Sequence, residues 1–155
     1  MIETEKNSKI LRKRSKKIDE VTDEVKDLVL KMEKVMDQEE GIGLAAPQIG
    51  ELKRIILVRE GDQSDCFINP IILEKSKEKD LLEEGCLSCP GISVEIERPV
   101  EIRIRATNLD GEEFESEIEG LKARVFQHET DHLDGILITD YIPLLSKIKK
   151  FLRIK

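Results

Sequence analysis

The sequence predicts an α+β protein in which antiparallel β-sheets pack around a central helix that carries an HExxH motif. An amphipathic helical pattern comes first, several short β-rich runs follow, and a second helical pattern comes after them. Helices and strands that are segregated along the chain are typical of α+β folds. The 155 residues contain no internal repeat or Pro-rich linker. Because one hydrophobic core is usual at this length, we expect a single domain over residues 1–155.

The first helical pattern predicts an N-terminal amphipathic helix. Its apolar residues recur every three or four positions and form one stripe, which consists of Val21, Val25, Leu28, Val29, Met32, Val35 and Met36. Thr22 is a suitable N-cap, and Asp23 and Glu24 follow it where the helix dipole favours acidic side chains. Gly41 is expected to end the helix.

The middle of the chain has the pattern of β-strands. Residues 54–58 and 66–73 are short β-rich runs, and Asn69-Pro70 interrupts the second. Between residues 100 and 106, apolar residues alternate with charged ones, which predicts a half-buried strand. Asp110-Gly111 then predicts a hairpin turn into a strand that contains Phe114, Ser116 and Ile118.

Composition and charge exclude several classes of protein. No apolar run approaches the roughly 18 residues of a membrane span, and the N-terminus lacks the apolar core of a secretory signal, so we expect a cytoplasmic protein. The net charge is -7, yet residues 146–155 hold five Lys or Arg and no acid. These residues are predicted to form a basic C-terminal tail or short helix. The acidic remainder and the scarcity of aromatic residues argue against DNA binding.

The second helical pattern begins after Gly120 and contains an HExxH motif, His128-Glu129-Thr130-Asp131-His132. Side chains at i and i+4 lie about 5–6 Å apart on one face of a helix, so both imidazoles can reach one metal ion. Glu129 is rotated about 100° from His128, which favours contact with water on a metal over coordination. Gly135 is expected to end this helix. The alternative is a coincidental match on a surface helix.

A catalytic site of the zinc type needs a third protein ligand and an open position. Peptidases with this helix take the third ligand downstream as Glu or His, but neither residue follows His132 here. A thiolate is a suitable substitute, and Cys86 is the candidate. Cys89 leaves a second arrangement open, a closed Cys2His2 structural site, although its long separation from His128 disfavours it. We interpret Cys66, in an apolar run, as a packing residue.

Residues 41–48 are rich in glycine and alanine and end in Gln48. Small residues permit close approach of a ligand to the backbone, and the Gln48 amide is a suitable donor to a developing oxyanion. No Lys-Ser/Thr pair follows, so this segment is not a P-loop. The alternative interpretation is a tight connection between a helix and a strand.

Three segments together resemble, in order, the signature motifs of the peptide deformylase family. They are Gly41-Ile-Gly-Leu-Ala-Ala-Pro-Gln48, Glu84-Gly-Cys-Leu-Ser88 and Gln127-His-Glu-Thr-Asp-His-Leu-Asp-Gly135. The resemblance implies that Cys86, His128 and His132 hold the metal and that Glu129 is the acid/base. It further implies an oxyanion hole formed by Gln48 and the backbone N–H of Leu87.

The same resemblance implies the reaction, the metal and the partners. The family removes the formyl group from the initiator methionine of nascent chains, commonly with Fe²⁺, while Zn²⁺, Ni²⁺ or Co²⁺ can occupy the site. We expect Ile42, Leu121 and Val125 to form the methionine pocket and the peptide to pair as a strand beside Ile42 and Gly43. Because the substrates leave the ribosome, the basic tail is a candidate contact for ribosomal RNA.

Two departures from the family pattern concern the segment after Cys86. Cys89 stands where an aliphatic or aromatic residue is usual, and residues 91–93 lack the Arg or Tyr often found in the substrate-facing loop. Neither departure removes a catalytic residue. The alternative functions are a zincin-like metallopeptidase, which the missing downstream ligand disfavours, and a metal-stapled module that binds RNA or the ribosome through its tail.

Overall fold

The computed structural model describes residues 1–143, so the predicted tail at residues 146–155 lies outside the described part of the chain. Two α-helices, α1 (Asp23–Gln38) and α2 (Gly120–Leu133), are present in residues 1–143. The strands are β1 (Gly43–Ala45), β2 (Ile55–Glu60), β3 (Gln63–Lys75), β4 (Lys79–Gly85), β5 (Ser93–Pro99), β6 (Glu101–Thr107) and β7 (Glu113–Glu119). Short 3₁₀ helices span Ile10–Arg12, Ala46–Ile49 and Ile138–Tyr141. The predicted α+β class is confirmed.

The strands form two antiparallel sheets. The larger has the order β1-β2-β3-β6-β7, and the smaller pairs β4 with β5. The register of β3 against β6 shifts between Ile68 and Ile71. Asn69 has a positive φ of 51° there, and its side chain holds this conformation by hydrogen bonds to the N–H and C=O of Ile18, at 2.8 and 2.7 Å. The interruption expected at Asn69-Pro70 is therefore a β-bulge.

Helix α1 follows the predicted pattern, since its stripe from Val25 to Met36 is buried. Thr22 occupies the N-cap position, although its side chain makes no capping hydrogen bond. The helix ends at Gln38, and the N–H of Gly41 then donates to the carbonyl of Met36 at 2.9 Å. Burial of this face against β1 and β2 is what stabilises the helix in the fold.

Helix α2 lies between the two sheets and contacts strands of both, including β2 and β5. On the side of the large sheet, Phe126 is fully buried and its ring meets that of Phe67 edge to face, with 5.0 Å between centroids. A further cluster of buried residues joins the N-terminal segment to the loop after β4, and it consists of Leu11, Cys89, Ile96, Leu137 and Ile138. The predicted central helix is therefore packed against both sheets. No helix among residues 1–143 is long and apolar enough to cross a membrane.

Candidate metal centre and active site

A cavity of about 560 Å³ opens between the end of α1, strand β1, the loop after β4 and one face of α2. All four residues predicted to contact substrate line it, namely Ile42, Gly43, Leu121 and Val125. The predicted catalytic residues Gln48, Leu87 and Glu129 line it as well. Segments far apart in the sequence therefore converge on one open site.

The three predicted metal ligands meet beside this cavity. The ligand atoms of Cys86, His128 and His132 all lie within 4.8 Å of one another, and Cys86 Sγ is 3.2 Å from His132 Nε2. The i, i+4 spacing places both imidazoles on one face of α2, while Cys86 follows directly after the end of β4. One thiol and two imidazoles are a suitable donor set for a divalent transition metal.

The other cysteines lie outside this donor group. Cys89 is buried in the cluster that contains Leu11, and its thiol lies 3.8 Å from a carboxylate oxygen of Glu5. Cys66 lies on β3 and packs against the core. Burial, and to a smaller extent the negative charges of Glu33 and Asp65, raise the pKa of its thiol to about 12. The geometry thus favours the open site with three ligands over the closed Cys2His2 site.

Glu129 is the buried carboxyl of the cavity, with only 4% of its surface exposed. Its Oε2 atom has no hydrogen-bond partner among the described residues. Burial raises the pKa of Glu129 to about 7, although the nearby His128 and Arg98 oppose the shift. A carboxyl group with a pKa near neutrality can both accept and donate a proton at physiological pH.

His128 is oriented by the buried carboxylate of Glu84, which opens the motif Glu84–Ser88 but has no role predicted from the sequence. Its Nδ1 donates a hydrogen bond to Glu84 at 2.9 Å, which leaves Nε2 available as a ligand atom. Arg98 binds Glu84 through two nitrogens at 2.6 and 2.9 Å, and Arg124 adds a third contact at 2.6 Å. Burial raises the pKa of Glu84, but the bonds from His128 and Arg98 outweigh it and lower the pKa to about 2. Glu84 therefore stays ionised.

Gln48 presents its amide nitrogen to the site. The side chain is 1% exposed, and its Oε1 accepts a hydrogen bond from the N–H of Ala45 at 2.8 Å. The amide nitrogen Nε2 therefore points toward the loop after β4, where it lies 3.8 Å from Cys86 Sγ and 3.3 Å from Ser88 Oγ. Leu87 lies between these two residues in the loop, and it lines the cavity together with Gln48.

Gly43 explains how β1 and α2 come so close together. A Cβ atom at this position would lie 2.5 Å from Oε1 of Glu129 and 2.5 Å from Cγ1 of Val125. The sequence predicts that small residues here admit a ligand to the backbone. The structure shows that this glycine also permits the close approach of helix α2.

An α+β fold with an HExxH helix, a cysteine from a neighbouring loop and a buried carboxyl in an open cavity defines the class of metal-dependent hydrolases. Residues 3–148 match the sequence model of the polypeptide deformylase family. The chain belongs to that family.

Individual relatives agree with this assignment. The chain is 47% identical over 133 residues to a peptide deformylase of Thermotoga neapolitana, and the aligned region covers 86% of this chain and 81% of the relative. A crystal structure of peptide deformylase from Thermotoga maritima superposes with a TM-score of 0.87 at 44% identity, covering 90% and 95% of the two chains. A Met-Ala-Ser-bound class I type b peptide deformylase from Acinetobacter baumannii gives 0.86 at 32% identity, covering 92% and 97%.

The protein is therefore a metal-dependent hydrolase that removes the N-formyl group from N-formylmethionyl nascent peptides. The two alternative functions, a zincin-like metallopeptidase and a metal-stapled RNA-binding module, receive no support from these relatives.

Proposed function

We propose that deformylation takes place at one divalent metal ion held by Cys86, His128 and His132. Glu129 acts as the acid/base, and Gln48 and the backbone N–H of Leu87 form the oxyanion hole. The observation that carries this proposal is the convergence of three donor atoms within 4.8 Å of one another beside the buried Glu129.

The protonation states of the donor set couple metal binding to the loss of protons. Burial lowers the pKa of His128, but the hydrogen bond to Glu84 outweighs it and raises the pKa, so this imidazole must release a proton to bind a cation. The neighbouring thiol of Cys89 and burial both raise the pKa of Cys86, so a thiolate here requires a positive charge close to it. Burial and the proximity of His128 lower the pKa of His132 well below its usual value, which keeps the imidazole neutral as coordination requires.

We propose Fe²⁺ as the metal, and Zn²⁺, Ni²⁺ and Co²⁺ fit the same ligands. Metal analysis of protein purified without oxygen tests this choice.

The residues of the chain divide the reaction between them. When bound, the metal supplies a Lewis acid that polarises the formyl carbonyl and lowers the pKa of water. Glu129 takes a proton from the attacking water and delivers it to the leaving amine as the formyl C–N bond breaks. The Gln48 amide and the Leu87 N–H donate to the oxygen that becomes negatively charged. Formate and a free α-amino group are the products.

The apolar part of the cavity is suited to the methionine side chain. Ile42 and Leu121 are 52% and 65% exposed, and with Val125 they line the cavity next to Glu129. Exposed apolar residues beside convergent polar groups are typical of ligand pockets. Strand β1 is an edge strand of the large sheet, so the substrate backbone can add as a further strand beside Ile42 and Gly43.

Release of formate tests the proposed chemistry. We expect the purified enzyme to release formate and free Met-Ala-Ser from formyl-Met-Ala-Ser and to leave the internal peptide bonds intact. A chelator should stop the reaction and added Fe²⁺ should restore it. Internal cleavage, or turnover that persists after complete metal removal, would contradict the proposal.

We also propose that the enzyme meets its substrates at the ribosome, in the cytoplasm. The basic residues of the tail lie outside the described part of the chain and are Lys147, Lys149, Lys150, Arg153 and Lys155. Lys and Arg bind RNA by releasing counterions, so charge reversal at Lys149, Lys150 and Lys155 should weaken ribosome binding and reduce its salt dependence. Turnover of a free formyl peptide should not change. Unchanged ribosome affinity at low salt would contradict a role of the tail in binding.

A further inference from the structure

The N-terminal segment makes backbone hydrogen bonds to both elements of the proposed oxyanion hole. The N–H of Glu3 donates to the carbonyl of Gln48 at 2.7 Å, and the N–H of Glu5 donates to the carbonyl of Ser88 at 2.9 Å. Gln48 lies in the 3₁₀ helix after β1 of the large sheet, whereas Ser88 lies in the loop after β4 of the small sheet. Residues 3–5 therefore connect the 3₁₀ helix after β1 to the loop after β4, two elements that follow strands of different sheets.

The segment itself is firmly anchored. The Glu5 carboxylate accepts hydrogen bonds from Arg12 and from Thr139 Oγ1, the latter at 2.9 Å. Leu11 is fully buried in a cluster with residues that precede α2, such as Ile96, and residues that follow it, such as Leu137. The N–H of Ser15 donates to the carbonyl of Leu133, in α2 itself, at 2.8 Å. Residues 3–5 are thus fixed relative to the helix that carries the proposed ligands His128 and His132.

We infer that Glu3 and Glu5 are positioning residues for deformylation, because their backbone N–H groups bind the carbonyls of Gln48 and Ser88 and so hold Gln48 and the loop that contains Leu87 in the relative position that the oxyanion requires. This inference rests on the proposed roles of Gln48 and Leu87. Two donors from separate elements must converge on one oxygen atom, and a displacement of about 1 Å is enough to cost roughly 10²-fold in rate.

Proline substitution removes the N–H in question and leaves the rest of the backbone. Glu5 follows Thr4 in a turn closed by the N–H of Asn7, at 3.0 Å, and this position of a turn favours proline. Glu5→Pro and Glu5→Ala both lose the carboxylate, so the ratio of their rates isolates the hydrogen bond to Ser88. Glu3→Pro and Glu3→Ala make the same comparison for Gln48.

We expect each proline variant to have a kcat about tenfold or more below that of its alanine partner. The KM for formyl-Met-Ala-Ser and the metal content should remain close to those of the alanine variant, which a general loss of structure would not allow. Equal kcat values for a proline variant and its alanine partner would overturn the inference at that residue.

A double-mutant cycle separates this inference from the proposed function. If Glu3 acts through Gln48, Glu3→Pro should reduce kcat by less than about twofold in a Gln48→Leu background, since the donor is already lost. A full additional loss would overturn the inference while leaving the role of Gln48 intact. A Gln48→Leu enzyme with normal kcat would instead overturn the proposed oxyanion hole. Should Glu3→Pro fail to fold, deletion of residues 2–4 removes the same N–H without proline and replaces it in the cycle.

Discussion

Gly43 on β1 and Glu129 on α2 are in such close contact that no side chain fits between them. A Cβ atom at residue 43 would approach Oε1 of Glu129 to 2.5 Å, a distance at which one of the two groups must move. Val125, on the same helix, blocks the same position, also at 2.5 Å, so a rotation of the Glu129 side chain alone cannot relieve the clash. The glycine therefore fixes the position of the proposed acid/base as well as the shape of the cavity.

Gly43→Ala should reduce kcat by about 10²-fold, because the Glu129 carboxyl is displaced from its position beside the three donor atoms. The free energy of unfolding should fall by roughly 1–3 kcal/mol through overpacking. Steady-state kinetics and denaturant unfolding measure the two effects. Gly85→Ala is the control for the stability effect, since a Cβ there meets nothing within 4 Å. Normal turnover of Gly43→Ala would show that the position of Glu129 is not critical.

Glu129→Gln should keep the metal and lose most turnover, because Glu129 lies beside the three donor atoms and is not one of them. The amide preserves the size of the buried side chain but cannot accept the proton, which costs about 10²–10⁴ in rate. Metal content and formate release should be measured on the same sample, with Glu129→Ala in parallel. Near-normal turnover, or loss of the metal, would rule out the assigned role.

Gln48→Leu should lower kcat by about 10²–10³ if the amide donates to the oxyanion. Leucine is similar in size, so the buried site remains filled while the donor disappears. The control is Ser88→Ala, which removes the hydroxyl that Nε2 contacts at 3.3 Å but keeps the amide itself. An effect of Gln48→Leu confined to KM would indicate that Gln48 binds substrate without stabilising the transition state.

Cys86→Ser should abolish metal binding together with activity, whereas Cys89→Ser should leave both largely intact. The reason is that the three converging donor atoms include Cys86, while Cys89 is buried among Leu11 and its neighbours. Metal analysis of the two variants, purified identically, is the measurement. Equal loss of metal in both would point to the closed Cys2His2 site.

The parts of the fold that the sequence predicts are those with a regular period. The stripe of α1, the HExxH helix and the β6–β7 hairpin each bury one face, so apolar residues recur at fixed spacing. Strand β1 has only three residues and depends on its pairing with β2, which no local pattern reveals. Strand β4 is rich in charged residues and mostly exposed, so it lacks the alternation that marks the β6–β7 hairpin. Strand β5 does alternate, but its buried positions include the charged Arg98, which weakens the apolar pattern.

The residues of the site likewise fall into those that the sequence predicts and those that only the tertiary structure reveals. The three donor residues and Glu129 lie in short motifs, so the sequence predicts them. Glu84 and its partners are separated along the chain, Arg98 by 14 residues and Arg124 by 40. Glu84 opens the motif that contains Cys86, but nothing in the motif indicates that it binds arginine. The only sequence signal of Arg98 and Arg124 is a charged residue at a position that should be buried, and Arg124 lies four residues before His128 on the same face of α2. The tertiary structure is needed to show that they meet at one carboxylate.

Glu84→Gln should destabilise the protein in a manner that depends on pH. The pKa of Glu84 is lowered from 4.5 to about 2, so the ionised carboxylate contributes stability that is complete above pH 4.5 and is lost as the pH falls through about 2. The variant should therefore have a free energy of unfolding roughly 3 kcal/mol below the wild type at pH 7. This difference should shrink steadily between pH 4.5 and 2.

Urea unfolding of both proteins after metal removal excludes the contribution of metal loss in acid. Glu95→Gln, an exposed change on β5, should differ little from the wild type at any pH. A difference between Glu84→Gln and the wild type that does not vary with pH would show that Glu84 acts through its shape and hydrogen bonds, and that its charge contributes nothing to stability.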